Sequence, residues 1–376
     1  MNLCIVSYMY PGKHNSSDFV FVKMLVDEFA RQGHNCVVVS PFNCLHYKQL
    51  HKGVEVQQVG DAEVKVFRPN YLSASNIHIG KLNLSSWLHK KAVAKALKQM
   101  WKSGFRPDAV YCHFWSACVE AYPFARKHNI PLFLASGESS IDVNNKDGHL
   151  NDLKEYVKGV ICVSSKNKDE SIEHNLTTAD KCFVAPNAID NSLFRKLDKA
   201  ECRAKLGLPQ DKFIIAFVGW FIDRKGPKRV AEAIKQITEN DVYSLFIGSG
   251  EGEPECQSIL FKGKLPHDDI PTYLNAADAF VLPTLHEGCC NAVVEAMACG
   301  LPIISSNRPF NWDVLDETNS IMIDPESVEE IRNAIVELRD NPERRDQLSI
   351  GALEKAKDLT IGKRASKIAE FMEGRL

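Results

Sequence analysis

DAFVLPTLHEGCCNAVVEAMACGLPIISS, residues 278–306, contains a whole structural unit. DAFVLP is a short apolar run, TLHEGCCN a loop of turn-forming residues, AVVEAMACG an apolar helix closed by Gly300 and Pro302, and LPIISS a second apolar run. Strands joined through a crossover helix lie parallel, so this stretch predicts an α/β chain with helices covering the sheet. Two carboxylates, Glu287 and Glu295, stand eight positions apart inside it. Glu287 falls before the helix and Glu295 about one turn within it, among Ala292, Val293, Val294, Ala296, Met297 and Ala298. A carboxylate in such apolar company needs a partner. Ribose hydroxyls would supply one, and so would a backbone amide.

The same alternation continues outward. NLCIVSYM ends at Pro-Gly, a helical pattern follows from about Asp18 to Gly33, and HNCVVVSP, PDAVYCHF, IPLFLAS and GVICVS read as further buried strands. A second series starts at DKFIIAFVGW and runs through a helix from about Lys228 to Glu239, then YSLFIGSG and SILFKGKL. With 376 residues, the chain exceeds the length at which a single core stops growing, and two domains are expected. Between Pro186 and Pro209 the sequence carries polar and turn residues and no strand. The expected division is 1–190 for one Rossmann-like domain, 191–208 for a linker, 209–358 for a second, and 359–376 for a C-terminal helix returning to the first. A ligand crevice is expected between the two doubly wound units, at the carboxyl ends of their strands.

Composition excludes several classes. A charged share of 25% and a net charge of -2 give no reason to expect a nucleic-acid partner. The twelve cysteines show neither a C-x-x-C pair nor zinc-ligand spacing, and read as reduced core residues. The opening MNLCIVSYMYP has no basic n-region, and no apolar run approaches the roughly 20 residues that span a bilayer. A cytoplasmic protein is expected.

Motifs narrow the field further. Glycines 248, 250 and 252 are spaced G-x-G-x-G, which is not the dinucleotide fingerprint. No G-x-x-x-x-G-K-[ST] occurs, and SGESSI lacks the second glycine of a nucleophile elbow. With no D-x-D and no two histidines within four residues, neither a metal-held diphosphate nor a zinc site is expected.

EGCCNAVVEAMACGLPII resembles the E-x7-E signature of the retaining nucleotide-sugar glycosyltransferases of family 4, which have the GT-B fold of two facing Rossmann-like domains. FVGWFIDRKG is similar to that family's glycine-bearing strand and basic diphosphate site, LFIGSGEGE to the next strand and turn, and NAADAFVLPTLHEG to the strand entering the signature. VAPNAIDNSLF resembles its interdomain segment, and FARQGHNCVVVSP its first helix and second strand. The likeness is strong over 210–310 and looser before that. Trp220 stands where the family usually has Arg, Ala188 replaces the glycine of a Pro-Asn-Gly segment, and PGKHNSSDF lacks the usual paired glycines.

Position by position, the resemblance assigns Glu287 to the transferred sugar, Glu295 to the nucleotide ribose and Lys225 to the diphosphate, with Arg224 as a second cation. Gly219, Gly288, Cys289, Cys290 and Asn291 complete the implied donor site in the second domain. In the first domain it assigns His113 to the reacting centre and places Ser136 and Glu138 on the acceptor side. It implies a UDP- or GDP-sugar donor, a glycan or lipid-linked saccharide acceptor, no cofactor, and cell-surface polysaccharide or glycolipid synthesis. A nucleotide-sugar epimerase or an idle nucleotide-sugar-binding protein on the same fold is the alternative.

One more stretch bears on location. WLHKKAVAKALKQMWKSGFRP, residues 87–107, sets Lys90, Lys91, Lys95, Lys98 and Lys102 against an apolar stripe at helical spacing. It reads as a crossover helix whose lysines face water. The same lysines would suit an anionic membrane surface at the inner face of the cell membrane.

Overall fold

The computed structural model describes the chain apart from residues 14–18, 52, 74–77, 80–81, 139–140, 142–149 and 238–240. The chain divides into two compact units. The first comprises Met1–Val163, Asn167–Ala185 and Ala365–Leu376, and the second Ser164–Lys166 and Pro186–Arg364.

The first unit is built on eight strands: β1 (Asn2–Val6), β2 (Asn35–Val39), β3 (Val54–Val59), β4 (Ala62–Phe67), β5 (Ala109–His113), β6 (Leu132–Ser136), β7 (Val157–Cys162) and β8 (Cys182–Val184). Their order across the sheet is β8-β7-β6-β5-β1-β2-β4-β3. Every ladder is parallel except the hairpin of β3 on β4. β5 and β6 are buried along their whole length, as strands covered on both faces must be. The edge hairpin instead alternates in exposure along VEVQQV, since only one of its faces meets the core. Helices Val20–Arg31, Leu84–Lys102 and Trp115–His128 cross between strands. The first of these is shorter at both ends than the sequence pattern, because Phe19 takes a left-handed backbone and Gly33 a positive φ.

Leu84–Lys102 carries the basic stretch. Ala92, Val93, Ala96, Leu97 and Met100 are buried, while Lys91, Lys95, Lys98 and Lys102 are exposed. The C-terminal residues complete this unit at its other edge. Phe371 stacks on Phe183 of β8 at 5.0 Å, and a Cβ on Gly159 would meet the Phe371 ring at 2.5 Å, which explains glycine in β7.

The second unit has six parallel strands: β9 (Phe213–Val218), β10 (Val242–Ile247), β11 (Ile259–Gly263), β12 (Ala279–Leu282), β13 (Ile303–Ser306) and β14 (Ser320–Ile323). Their order is β11-β10-β9-β12-β13-β14, the doubly wound arrangement. Pro227–Lys235 is the helix read from the sequence as starting at Lys228, with Pro227 in its first turn. The segment before β9 is not featureless, since Lys199–Leu206 is helical, with Asp198 as its N-cap and Gly207 at φ 66° as its stop. Asp278, ahead of β12, anchors that helix by accepting from Arg203 at 2.7 Å, Lys199 at 2.6 Å and the Ile214 amide at 2.8 Å.

All twelve cysteines are free thiols, most of them buried. Among the described residues no helix is long and apolar enough to cross a membrane.

Candidate active site

In the second sheet the strand order reverses between β9 and β12, so the loops leaving their carboxyl ends diverge and open a crevice. The loop after β9 starts at Gly219, whose amide donates to Ile247 O of β10 at 3.0 Å. It packs against the turn after β10 so closely that a Cβ on Gly248 would lie 1.9 Å from Gly219 O, and one on Gly250 2.4 Å from Phe221 O. The G-x-G-x-G spacing is thus a packing device between two loops. A 3₁₀ turn, Asp223–Lys225, then points the chain at the loop after β12, where Leu285 N donates to Arg224 O at 2.8 Å.

Three charges meet at this junction. Lys225 Nζ lies 2.5 Å and Arg224 Nη1 2.8 Å from the same oxygen, Glu287 Oε1, which also accepts from Thr284 Oγ1 at 3.0 Å. Arg224 Nη1 further donates to His286 O at 2.6 Å. Glu287 Oε2 makes no bond to any described residue, so one oxygen is held by the protein and the other is open. Lys225 is nearly buried, at 8% exposure. Burial pulls its pKa down, but the Cys290 thiol 3.8 Å away and the Glu287 carboxylate outweigh this and hold it above the usual lysine value. Its stem passes Gly219, where a Cβ would meet Lys225 Cδ at 3.7 Å.

The loop ends in the helix Asn291–Ala298, whose N-cap, Cys290, has an extended backbone and supplies no side-chain cap. Gly288, Cys289 and Cys290 are buried. Burial pushes the Cys289 thiol up to about 12, and its carbonyl accepts from Asn187 Nδ2 at 3.0 Å. Asn291 Oδ1 is buried with no hydrogen-bond partner among the described residues. Glu295, one turn along, is not unpartnered: Oε1 lies 3.2 Å from Nε2 of His267, in the turn after β11. The bond from Glu295 raises the His267 pKa, burial opposes it, and Asp268 and Asp190 add to the rise. As with Glu287, Oε2 has no partner among the described residues. The two acids share a pattern, one oxygen fixed and one free.

The remaining candidates lie in the first unit, at its own reversal of strand order between β1 and β5. His113 ends β5, 4% exposed, with its ring 5.3 Å from Phe21 and 4.9 Å from Phe114. Phe114 has φ 74° and ψ 158°, a strained backbone for an aromatic residue. Glu138 holds that strained corner, accepting from the Trp115 amide at 2.9 Å through Oε1, and from Gly137 N at 2.9 Å and Ser136 Oγ at 3.3 Å through Oε2. Burial raises the Glu138 pKa against those four-way restraints from Trp115, its own amide, Gly137 and Ser136. Glu138 therefore caps the helix that follows His113 while Ser136 braces Glu138, and both carboxylate oxygens are engaged. The rest of SGESS, Ser139 and Ser140, lies outside the described residues.

The model of glycosyl transferases group 1 matches residues 198–355, and that of glycosyltransferase family 4 matches residues 19–193. The chain belongs to glycosyltransferase family 4. It is similar to a Bacillus subtilis protein named as the teichuronic acid biosynthesis glycosyltransferase TuaC, 26% identical over 89% of this chain and 88% of that one. It is 33% identical, over 48% of its length and 51% of the relative's, to the Escherichia coli UDP-Gal:alpha-D-GlcNAc-diphosphoundecaprenol alpha-1,3-galactosyltransferase. Among solved structures, sucrose-phosphate synthase from Thermosynechococcus elongatus superposes with a TM-score of 0.76 at 17% identity, covering 100% of this chain and 99% of that one. The Anabaena protein HepE bound to UDP-glucose gives 0.73 at 17%, covering 100% of both. These structural likenesses establish the shared fold.

Within this glycosyltransferase the departure at Trp220 has a visible local consequence. The ring is 59% exposed, and Lys264 Nζ stands over it at 5.4 Å. The cation that the resemblance leads one to expect at position 220 is absent, and Arg224 supplies the second charge on Glu287. His267 was not singled out from the sequence. It sits 28 residues before Glu295, and no spacing rule links a 3₁₀ turn to a distant helix.

Proposed function

We propose that this glycosyltransferase moves a sugar from a nucleoside-diphosphate sugar to a hydroxyl of a glycan or lipid-linked saccharide, with retention of anomeric configuration. The observation that carries the reading is the pair of cations, Arg224 and Lys225, converging on Glu287 Oε1 at the strand-order reversal. A leaving nucleoside diphosphate gains negative charge as the glycosidic bond breaks, and a nearly dry cation beside it stabilises that state more than the bound substrate. Glu287 keeps the two cations together and offers Oε2 to a sugar hydroxyl. Glu295, held through Oε1 by His267, is the acceptor assigned to the ribose hydroxyls, and the unpaired Asn291 Oδ1 lies buried at the start of the same helix. The family resemblance gives His113, at the end of β5, a hydrogen-bonding role toward the donor sugar, and puts Ser136 and Glu138, which lie beside its corner within the first unit, on the acceptor side. No metal is needed in this scheme, since the cations are side chains.

The relatives' names favour a UDP-sugar and a lipid-linked acceptor, and the exposed lysines of Leu84–Lys102 suit peripheral binding at a cytoplasmic anionic leaflet. The test is incubation with UDP- and GDP-sugars and a mixed acceptor pool, following nucleoside diphosphate release and the anomeric proton of the product. Acceptor-dependent release with an unchanged anomeric configuration is expected. Inversion, or release that ignores every acceptor, refutes the reading.

A further inference from the structure

The first unit contains a cavity of about 130 Å³ that none of the residues discussed so far occupies. It lies at the carboxyl edge of the sheet, walled by the chain leaving β1 (Tyr8 to Gly12), β2 (Ser40 to Tyr47) and β4 (Arg68, Tyr71). That volume is far above the ~10–15 Å³ that a single water needs. Five aromatic rings line it: Tyr8, Tyr10, Phe42, Tyr47 and Tyr71.

The walls are set before any ligand arrives. Phe42 stacks on Tyr47 at 4.7 Å. Tyr8 stacks at 4.2 Å on His89, which meets Tyr71 edge-on at 5.1 Å and is itself fixed by Glu120 at 2.9 Å. Two hydroxyls of the lining are left over. Ser40 Oγ and the Tyr10 hydroxyl, in residues 1% and 4% exposed, are buried with no hydrogen-bond partner among the described residues. An unpaired buried hydroxyl is costly, so both stand in the cavity wall as polar groups lacking a partner.

The charge balance says which ligand. Among the described residues Arg68 is the only Lys or Arg in the lining, and it is spent on Glu55 at 2.7 Å, Tyr10 O at 3.0 Å and Pro11 O at 2.7 Å. Among the described residues no lysine or arginine of the lining is left over for a phosphate or carboxylate, and the one other basic side chain there, His46, has its ring edge-on to Tyr47 at 4.7 Å. Aromatic faces combined with unsatisfied hydroxyls match a neutral pyranose ring, which has apolar C–H faces and a polar rim.

We propose that this cavity binds an uncharged hexopyranosyl unit of the acceptor, other than the unit that is glycosylated. The second clause comes from the sheet and rests on the transferase reading above. The cavity is centred on β2, two strand spacings from β5 and His113, or roughly 10 Å along the sheet edge. A sugar seated there is too far from the switch point to present the attacking hydroxyl. The acceptor therefore carries at least one sugar beyond the one that reacts.

Saturation-transfer NMR with methyl gluco-, galacto- and mannopyranosides, without donor, reads the site directly. At least one glycoside should receive saturation. Tyr47→Ala and Ser40→Ala should each weaken it fivefold or more, and His113→Ala should leave it unchanged. With acceptors of one and two sugars, Tyr47→Ala should raise KM for the disaccharide about tenfold, leaving kcat and the donor KM in place. Saturation of no glycoside, binding lost on His113→Ala but kept in both cavity variants, preference for a nucleoside over the glycosides, or equal KM effects on both acceptors would overturn the proposal. Tyr47-dependent glycoside binding without any sugar transfer would strike the transferase reading and support the saccharide site. Transfer without such binding would do the reverse.

Discussion

Replacing Lys225 with Ala removes one of two cations from a shared carboxylate oxygen, and the structure predicts how unequal the two are. The Lys225 side chain is 10% exposed and that of Arg224 35%, both within 2.8 Å of Glu287 Oε1. A charge interaction grows as the local dielectric falls, so the buried lysine should act on developing phosphate charge more strongly than the half-solvated arginine. Loss of one preorganised electrostatic contact of this kind costs ~100- to 1000-fold in turnover, or about 2.7–4 kcal/mol. Lys225→Ala should fall in that range, and Arg224→Ala at least tenfold short of it. Folding should suffer less than usual for a broken buried pair, because Arg224 and Thr284 still hold the carboxylate. The assay is single-turnover sugar transfer at saturating donor, with a melting curve as the control. Unchanged turnover in Lys225→Ala, or a larger loss in Arg224→Ala, would refute the reasoning.

Three further outcomes are expected. Glu295→Gln should weaken binding of the free nucleoside diphosphate, whereas Glu287→Gln should spare it and impair transfer; equal losses by calorimetry would remove the division of labour. His267 has a folded-state pKa raised above its unfolded value, so its pair with Glu295 contributes stability that is fully present below about pH 6.5 and lost as pH rises through the folded value. Melting temperature against pH should therefore lose a component in His267→Gln, and an identical profile would contradict the pairing. Vesicles of anionic lipid should sediment the protein at low salt and release it at high salt, and changing Lys91, Lys95 and Lys98 to Glu should abolish this; a protein that stays in the supernatant has a different acceptor environment.

The sheets were legible because parallel strands covered on both faces leave near-continuous apolar runs such as NLCIV and FIIAFV. The edge hairpin β3–β4 escaped notice because it is half solvated and its apolar residues are diluted. At the site, Lys225 and Glu287 were readable from local motifs, and their meeting follows from β9 and β12 being neighbours. The Glu295–His267 pair and the Asp278 anchor were not readable, since each joins elements whose approach is decided by strand order and not by spacing along the chain. Glu138 came from the resemblance as an acceptor-side residue, whereas its role as a cap depends on the positive φ at Phe114, which nothing in the sequence announces.

The final residues belonging to the first unit impose an order on biosynthesis. A ribosome that has released residues 1–185 has made eight strands, yet the face of Phe183 and the groove over Gly159 wait for Phe371, almost two hundred residues later. Throughout the synthesis of the second unit, the first carries an uncovered edge, the kind of surface on which nascent chains associate wrongly. Maturation of the amino-terminal half is thus timed by the arrival of the carboxyl-terminal helix, and a nascent chain stalled before that point would be a substrate for chaperones rather than a finished half-enzyme.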